Sequence, residues 1–348
     1  VDRRHIWRVH VWGTAPIPPS IETQNPKPLM TGNTIEWNPV MLADGKTIVC
    51  LGSSATSPAM PYRITDNGRE MIAANVLPKD FPSAQLVEPR QVTFKSEDGL
   101  EIHGQLFVPR NRAQSAPGPA LIFVHGGPPR QMLLGFHYMY YYHNAYAENQ
   151  YLASLGYIVL SVNYRLGIMY SRAFRDPPNS SWRGSAEYKD VLAGARYLQG
   201  LPSVDPKRIG IWGGSYGGLL TALALSRNSD IFAAGVDFHG VHDWSTFLRQ
   251  DGAQDAPDYK EAVKLAYDSS PIATVSKWKS PVLLIHGDDD RNVPFQQTTD
   301  LAQRLKEQHV EFEEIIIPDE IHDFLLWKTW MRGYQAGTDF FNRQFQKK

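Results

Sequence analysis

The stretch Gly213-Gly-Ser-Tyr-Gly-Gly218 places a serine, Ser215, where a strand is expected to turn directly into a helix. Residues 208–212 read as a buried strand, and residues 219–225 form an apolar helix pattern. A serine at such a turn adopts strained backbone angles, and close contact between strand and helix excludes side chains at the flanking positions, which explains the glycines. The stretch therefore predicts a nucleophile elbow, with Ser215 exposed above a sheet. Because the chain has 27 glycines, a bare Gly-x-Ser-x-Gly also arises by chance, and the rest of the sequence has to decide.

A nucleophilic serine needs a histidine base, and the histidine needs a carboxylate that orients it. Ser215, Asp290 and His322 supply these groups in the chain order that is typical of α/β-hydrolases. Asp290 and His322 each follow an apolar strand, where α/β sheets hold their functional loops. From the residues alone the acid stays ambiguous, because Asp288 and Asp289 precede Asp290 directly. These two are more simply interpreted as loop carboxylates that bind backbone or water, and spacing gives Asp290 only a modest edge.

Residues 120–129 read as a strand that ends in a Gly-Gly turn followed by two prolines. Acyl transfer builds negative charge on a carbonyl oxygen, and backbone N–H groups directed at that oxygen stabilise it. We expect the N–H groups of Gly127 and of Tyr216, the residue after the serine, to form this oxyanion hole. A turn that merely requires a positive φ angle is the structural alternative for Gly127.

Seven ordered motifs from about Arg90 to the C-terminus resemble the catalytic domain of the prolyl oligopeptidase family of serine peptidases, above all its acylaminoacyl-peptidase and dipeptidyl-peptidase branches. The motifs are His125-Gly-Gly-Pro128, Gly156-Tyr-Ile-Val-Leu-Ser-Val-Asn-Tyr-Arg165, Asp190-Val-Leu-Ala-Gly194, Asp205-Pro-Lys-Arg-Ile209, Gly213-Gly-Ser-Tyr-Gly-Gly218, His286-Gly-Asp-Asp-Asp-Arg-Asn-Val-Pro294 and His322. The resemblance implies an α/β-hydrolase fold, a mostly parallel sheet with helices on both faces. It also selects Asp290 among the three aspartates.

The resemblance further implies an acyl-side pocket around Tyr216, for which ordinary core packing is the alternative. Its other members would be Val241, Trp244, Phe247 and Val293. Arg165 is a candidate for binding a substrate carboxylate or carbonyl, and a buried ion pair that shapes its loop is an equally good interpretation. Residues 166–174 depart from the family pattern, which leaves the shape of that loop open.

Composition is that of an ordinary globular enzyme, with 348 residues, 42% hydrophobic and 20% charged. A net charge of −1 gives no electrostatic case for nucleic acid or an anionic membrane as a partner. The single cysteine, Cys50, excludes an internal disulfide and is expected in the core; it fits a cytoplasmic location, although a periplasmic or secreted one stays open. No cofactor and no metal site is expected, and homo-oligomerisation stays open.

The chain is expected to divide into a short β-rich segment, residues 1–85, and a catalytic domain, residues 86–348. Residues 34–51 predict a hairpin with an Asp-Gly turn, and the segment is similar to the end of a β-propeller. A propeller blade needs four strands and about 40–50 residues, so the segment is too short to close a propeller. Because the chain opens with valine, we expect a processed chain or a fragment of a longer protein.

Together these features predict a serine hydrolase that cleaves peptide bonds of short peptides through an acyl-enzyme, as acylaminoacyl and dipeptidyl peptidases do. A carboxylesterase with an open active site is the alternative, because residues 1–85 cannot supply a complete propeller cap. A binding module that keeps the fold without activity is a third hypothesis, which the intact set of Ser215, Asp290 and His322 disfavours.

Overall fold

The structure is a computed structural model that describes residues 2–9, 26–110, 117–250 and 254–346. The chain divides into two compact units. The first comprises Val1–Pro89 with Leu133–Ala147, and the second comprises Arg90–Met132 with Glu148–Lys348. The predicted division into residues 1–85 and residues 86–348 stays a prediction.

The first unit contains a small antiparallel sheet with the strand order β3-β4-β5-β6. Its strands are β3 (Thr34–Met41), β4 (Ile48–Ser54), β5 (Met60–Thr65) and β6 (Gly68–Met71), and a two-stranded pair, β1 (Trp7–Arg8) and β2 (Lys27–Pro28), accompanies it. Four antiparallel strands in sequential order are the content of one propeller blade. Cys50 is buried in the core of this sheet beside Met60 and Tyr62, as the sequence predicts.

The second unit is built on an eight-stranded sheet with the order β14-β13-β12-β11-β9-β10-β8-β7. Its strands are β7 (Arg90–Lys95), β8 (Glu101–Phe107), β9 (Gly118–Val124), β10 (Ile158–Asn163), β11 (Val204–Gly214), β12 (Phe232–Phe238), β13 (Val282–Gly287) and β14 (Phe312–Ile317). The first two strands form an antiparallel hairpin, and β9 to β14 are parallel. This order confirms the predicted α/β-hydrolase fold.

Helices connect the parallel strands, as parallel pairing requires, and a last helix follows the final strand. They are α1 (Tyr140–Ser154), α2 (Arg172–Arg175), α3 (Tyr188–Gln199), α4 (Tyr216–Arg227), α5 (Trp244–Gln250), α6 (Tyr259–Asp268), α7 (Gln296–Glu307) and α8 (Trp327–Gln346). Helix α4 is buried on all sides, which accounts for its continuous run of Leu and Ala. Across the described residues, no helix has both the length and the apolar character needed to cross a membrane.

Glu148 is an acidic side chain in the interior of the second unit. It lines a small cavity together with Trp212 and Tyr334, and it accepts a hydrogen bond of 3.0 Å from the hydroxyl of Thr338. Burial raises the pKa of Glu148 to about 8, and the Thr338 hydrogen bond only partly opposes this. The folded protein therefore holds a proton on this carboxyl at neutral pH.

We predict that Glu148→Gln stabilises the protein at pH 8 and has little effect at pH 5. Between the ordinary pKa of 4.5 and the folded value of about 8, the folded state binds more protons than the unfolded state, so stability falls as pH rises. Glutamine removes this loss, which is on the order of a few kcal/mol at pH 8.

Urea unfolding at the two pH values would test the prediction, with Glu97→Gln as the matched control. Glu97 is exposed and has only a 3.8 Å ion pair with Lys189, so its replacement should leave the pH dependence unchanged. The raised pKa of Glu148 would be contradicted if the stability gained by Glu148→Gln over the parent did not grow from pH 5 to pH 8.

Candidate active site

Ser215 stands at the junction between β11 and α4 with a φ angle of 60° and a ψ angle of −119°. This is a left-handed region that non-glycine residues rarely occupy, and such strain persists only where the surrounding structure imposes it. The backbone N–H of Ser215 donates to the carbonyl of Phe238 (2.9 Å), and its carbonyl accepts from Leu219 N–H (3.0 Å). The predicted elbow geometry is therefore present at Ser215.

The elbow glycines are required by close contact with neighbouring backbone. A Cβ atom on Gly213 or Gly217 would overlap the carbonyl oxygen of Val124 at the end of β9. A Cβ on Gly218 would overlap the carboxylate of Asp237 and the Cα of Gly240. These contacts hold α4 tightly against the sheet and leave the serine at the carboxyl edge of the parallel strands.

Asp290 is the one aspartate of the 288–290 run that contacts His322. Its Oδ2 lies 2.6 Å from His322 Nδ1, and its side chain is buried. Its Oδ1 accepts the backbone N–H groups of Asn292 (2.8 Å) and Val293 (2.9 Å). The Asp288 and Asp289 residues are exposed. The loop thus directs a single carboxylate at the histidine.

A second histidine, His286, supports the same carboxylate from the end of β13. Its Nε2 lies 3.0 Å from Asp290 Oδ2, and its Nδ1 lies 2.7 Å from the hydroxyl of Thr298. Burial raises the pKa of Asp290, but the hydrogen bonds from His286 and His322 outweigh it and hold the pKa well below its usual range. Asp290 is therefore a carboxylate that two imidazoles and two backbone amides fix in place.

His322 follows β14 on a loop and is partly exposed. A further histidine, His239, places its ring 4.4 Å from the ring of His322, centroid to centroid. His239 comes directly after Phe238, whose carbonyl accepts the N–H of Ser215. Burial holds the pKa of His239 well below its ordinary value, so its ring is neutral. The fold thus brings Ser215, His322 and Asp290 around His239.

The two residues expected to supply the oxyanion donors lie in the turn after β9 and at the start of α4. Gly127 has a φ angle of 51°, so the turn after β9 requires a left-handed residue there, as the structural alternative proposed. Tyr216 is the first residue of α4, and N–H groups in a first helical turn have no partner within the helix. For Gly127, a left-handed conformation and an oxyanion role of its N–H group are compatible, since the conformation also fixes the direction of the N–H bond.

The side chain of Tyr216 is anchored away from the elbow by Glu187. The phenol donates a hydrogen bond of 2.6 Å to Glu187 Oε1, and that carboxyl also accepts the backbone N–H of Ser181. Burial raises the pKa of Glu187, and burial together with the Glu187 charge raises the pKa of Tyr216 well above its ordinary value. Tyr216 therefore stays neutral. Its hydroxyl is held by Glu187, and its backbone is held as the first residue of α4.

Two of the predicted pocket residues, Trp244 and Phe247, form a chain of aromatic contacts with Tyr216. Trp244 lies 5.9 Å from the Tyr216 ring and 5.6 Å from the Phe247 ring, centroid to centroid. Val241 and Val293 are buried in the same apolar cluster. Trp244 and Phe247 are only partly buried, which is compatible with both a pocket wall and core packing.

A buried network fixes the segment that carries these aromatic residues. His242 Nε2 lies 2.8 Å from Asp237 Oδ2, and His242 Nδ1 lies 2.8 Å from the carbonyl of Gln297. The Gln297 side chain accepts the N–H groups of His242 and Asp243 (2.7 Å each). Gln297 and Thr298 are adjacent in α7: Gln297 holds the segment that carries Trp244, and Thr298 contacts His286, which supports Asp290.

The buried guanidinium of Arg165 forms ion pairs with a buried aspartate, Asp190, and an exposed one, Asp98. Its guanidinium donates to Asp190 Oδ1 (2.6 Å) and to Asp98 Oδ2 (2.6 Å), and Ser96 accepts a further bond. Burial lowers the pKa of Arg165, but the bonds to Asp190 and Asp98 outweigh this and raise it; the bond from Arg165 in turn lowers the pKa of Asp98 to about 2. The geometry favours the loop-shaping interpretation of Arg165 over substrate binding.

Comparison with known proteins identifies the same catalytic unit. The model of the prolyl oligopeptidase family matches residues 143–348, more than half of the chain. An uncharacterized peptidase, YuxL of Bacillus subtilis, is 29% identical over 244 residues, which cover 68% of this chain and 35% of that protein. Dipeptidyl aminopeptidase BIII of Pseudoxanthomonas mexicana is 27% identical over 301 residues, covering 81% and 42%.

A solved structure of an acylaminoacyl peptidase in complex with Z-Gly-Gly-Phe-chloromethyl ketone superimposes with a TM-score of 0.76 at 27% identity. The superposition covers 93% of this chain and 51% of that protein. The chain thus spans about half of this structure and less than half of the curated relatives named above.

Proposed function

This chain belongs to the prolyl oligopeptidase family of serine peptidases, and from that membership we propose that it hydrolyses amide bonds of short peptides through an acyl-enzyme on Ser215. His322 takes the proton of the Ser215 hydroxyl as the serine oxygen attacks the carbonyl carbon, and Asp290 holds the imidazole in the required tautomer. The N–H groups of Gly127 and Tyr216 stabilise the oxyanion.

The tetrahedral intermediate collapses when the protonated His322 gives its proton to the leaving amine. Water then attacks the acyl-enzyme, with His322 again as the base, and releases the acid and the free serine. The observation that carries the proposal is the contact of 2.6 Å between His322 Nδ1 and Asp290 Oδ2, together with the φ angle of 60° at Ser215. That contact leaves His322 Nε2 as the nitrogen that can accept the serine proton.

We propose that the residue on the acyl side of the cleaved bond is apolar and enters a pocket formed by Val241, Trp244, Phe247 and Val293 beside Tyr216. The partly exposed aromatic rings support this, as does the phenylalanine that the inhibitor carries in the related acylaminoacyl peptidase. An N-acylated peptide or a free-amino dipeptide with phenylalanine before the cleaved bond is the substrate class to test first.

The test compares kcat/KM for three chromogenic substrates. They are an N-acetylated peptide p-nitroanilide, a dipeptide p-nitroanilide with a free amino group, both ending in phenylalanine, and a p-nitrophenyl ester of a short acyl chain. We expect turnover of at least one anilide, and its loss in Ser215→Ala. Turnover of the ester alone would contradict peptide hydrolysis and indicate the carboxylesterase alternative.

A further inference from the structure

The histidine next to the triad, His239, creates a group of side chains with the composition of a transition-metal site. His239, Asp290 and His322 each offer one nitrogen or oxygen atom, and these three atoms lie within 4.8 Å of one another. Two imidazoles and one carboxylate are a ligand set that Zn²⁺ uses in enzymes, with bond lengths of about 2.0–2.2 Å and water in the fourth position. A modest contraction of the group would therefore suffice to bind the ion.

We propose that His239, Asp290 and His322 form an inhibitory site for Zn²⁺ that competes with the catalytic use of His322. The site has the support that metal-binding residues need around them. His286 contacts Asp290 Oδ2, the oxygen that His322 also contacts, and two backbone amides bind Oδ1, so the carboxylate is already fixed in direction. His322 is the partly exposed member, which gives the ion a route from solvent.

Binding of the ion through either nitrogen of His322 would stop acyl transfer. Coordination at Nε2 occupies the lone pair that takes the serine proton. Coordination at Nδ1 replaces the proton now directed at Asp290 and removes the hydrogen bond that orients the ring. Hard cations such as Mg²⁺ and Ca²⁺ prefer sites made of oxygen atoms, so they should not inhibit.

The test uses tag-free protein and the variants His239→Phe and His239→Gln. Phenylalanine keeps an aromatic ring against His322 and removes the ligand atom, and glutamine is the second variant in case phenylalanine perturbs folding. His103→Phe is the matched control, because His103 stacks on the ring of Tyr170 at 4.2 Å and lies outside the group. Thermal unfolding confirms that each variant is folded.

Zn²⁺ binding is measured by calorimetry, and Co²⁺ binding by its visible absorption, which distinguishes tetrahedral from octahedral coordination. We expect one ion per chain in the parent and in His103→Phe, and at least about tenfold weaker binding in the His239 variants, since loss of even an indirect support of a metal site weakens binding by 10–100-fold. Equal affinity of the parent and the folded His239 variants, or no saturable binding to the parent, would overturn the proposal.

Inhibition is measured as the ratio of the rates at which a fluorophosphonate probe labels Ser215 with and without Zn²⁺, so that changes in basal rate cancel. We expect Zn²⁺ to slow labelling in the parent and in His103→Phe far more than in the His239 variants. The inhibitory consequence rests on the proposed function, whereas binding does not. Metal binding without any labelling of Ser215 would leave the site standing and count against the proposed mechanism.

Discussion

Ser215→Ala is expected to reduce the hydrolysis of a peptide p-nitroanilide by about 10³–10⁶-fold while the protein remains folded. The substitution removes the oxygen that attacks the carbonyl, so no acyl-enzyme can form. It leaves the oxyanion donors intact, because both are backbone N–H groups. The loss should therefore fall on kcat, with KM little changed.

The Ser215 hydroxyl makes no capping bond to α4, so its removal should not unravel the helix. Alanine keeps the Cβ atom that already tolerates the φ angle of 60°, and thermal unfolding should shift by little. Mass spectrometry after treatment with a fluorophosphonate probe gives a second measurement, in which the parent gains one adduct and the variant gains none.

Ser226→Ala is the control on the same helix. Its hydroxyl donates to the carbonyl of Leu223 and contacts Thr274, away from the elbow, so activity and labelling should persist. Peptide turnover by Ser215→Ala near the parental rate would disprove the acyl-enzyme mechanism.

The local sequence predicts the elements that position the site, because their signals lie within short stretches. The apolar run of β11, the glycines of the elbow and the apolar run of α4 follow one another within one short stretch, and the structure confirms the resulting fold. Gly213 and Gly217 show the limit of such local signals: the motif predicts glycine at both positions, but the backbone that leaves no space for a Cβ there is that of Val124, on a distant strand.

The surroundings of the triad could not be predicted in the same way, since they depend on contacts between distant segments. His239 is a single histidine at the end of β12, and only the parallel pairing of the sheet brings it to the loop that carries His322. The link from Tyr216 to Glu187 spans 29 residues. A polar residue at the carboxyl end of a strand next to the elbow is the one signal that could have indicated His239.

The choice among Asp288, Asp289 and Asp290 shows how a loop decides what a motif leaves open. All three have the same chemistry and follow the same strand, so spacing alone separates them poorly. The loop turns the Asp290 side chain inward, where its Oδ1 accepts the backbone N–H of Val293, while Asp289 pairs with Arg291 in solvent. The resemblance to the family selects the same residue for a different reason.

Asp290→Asn is accordingly expected to lower kcat for the peptide p-nitroanilide by about 10⁴-fold, whereas Asp289→Asn should change it less than about twofold. The Asp290 carboxylate accepts four hydrogen bonds, from His322, His286 and the backbone of Asn292 and Val293. An asparagine amide has one oxygen, so its NH₂ group must face some of these donors. If the NH₂ group faces His322 Nδ1, the imidazole carries its proton on Nε2 and can no longer take the proton of Ser215.

Strongly reduced activity in Asp289→Asn together with near-parental activity in Asp290→Asn would show that Asp290 is not the acid. A loss of activity in both variants with lowered thermal stability would show that the substitutions act on the fold of the loop instead. Both substitutions make the same chemical change, an NH₂ group in place of one carboxylate oxygen, at adjacent positions. Only the direction in which the loop turns each side chain therefore separates their effects.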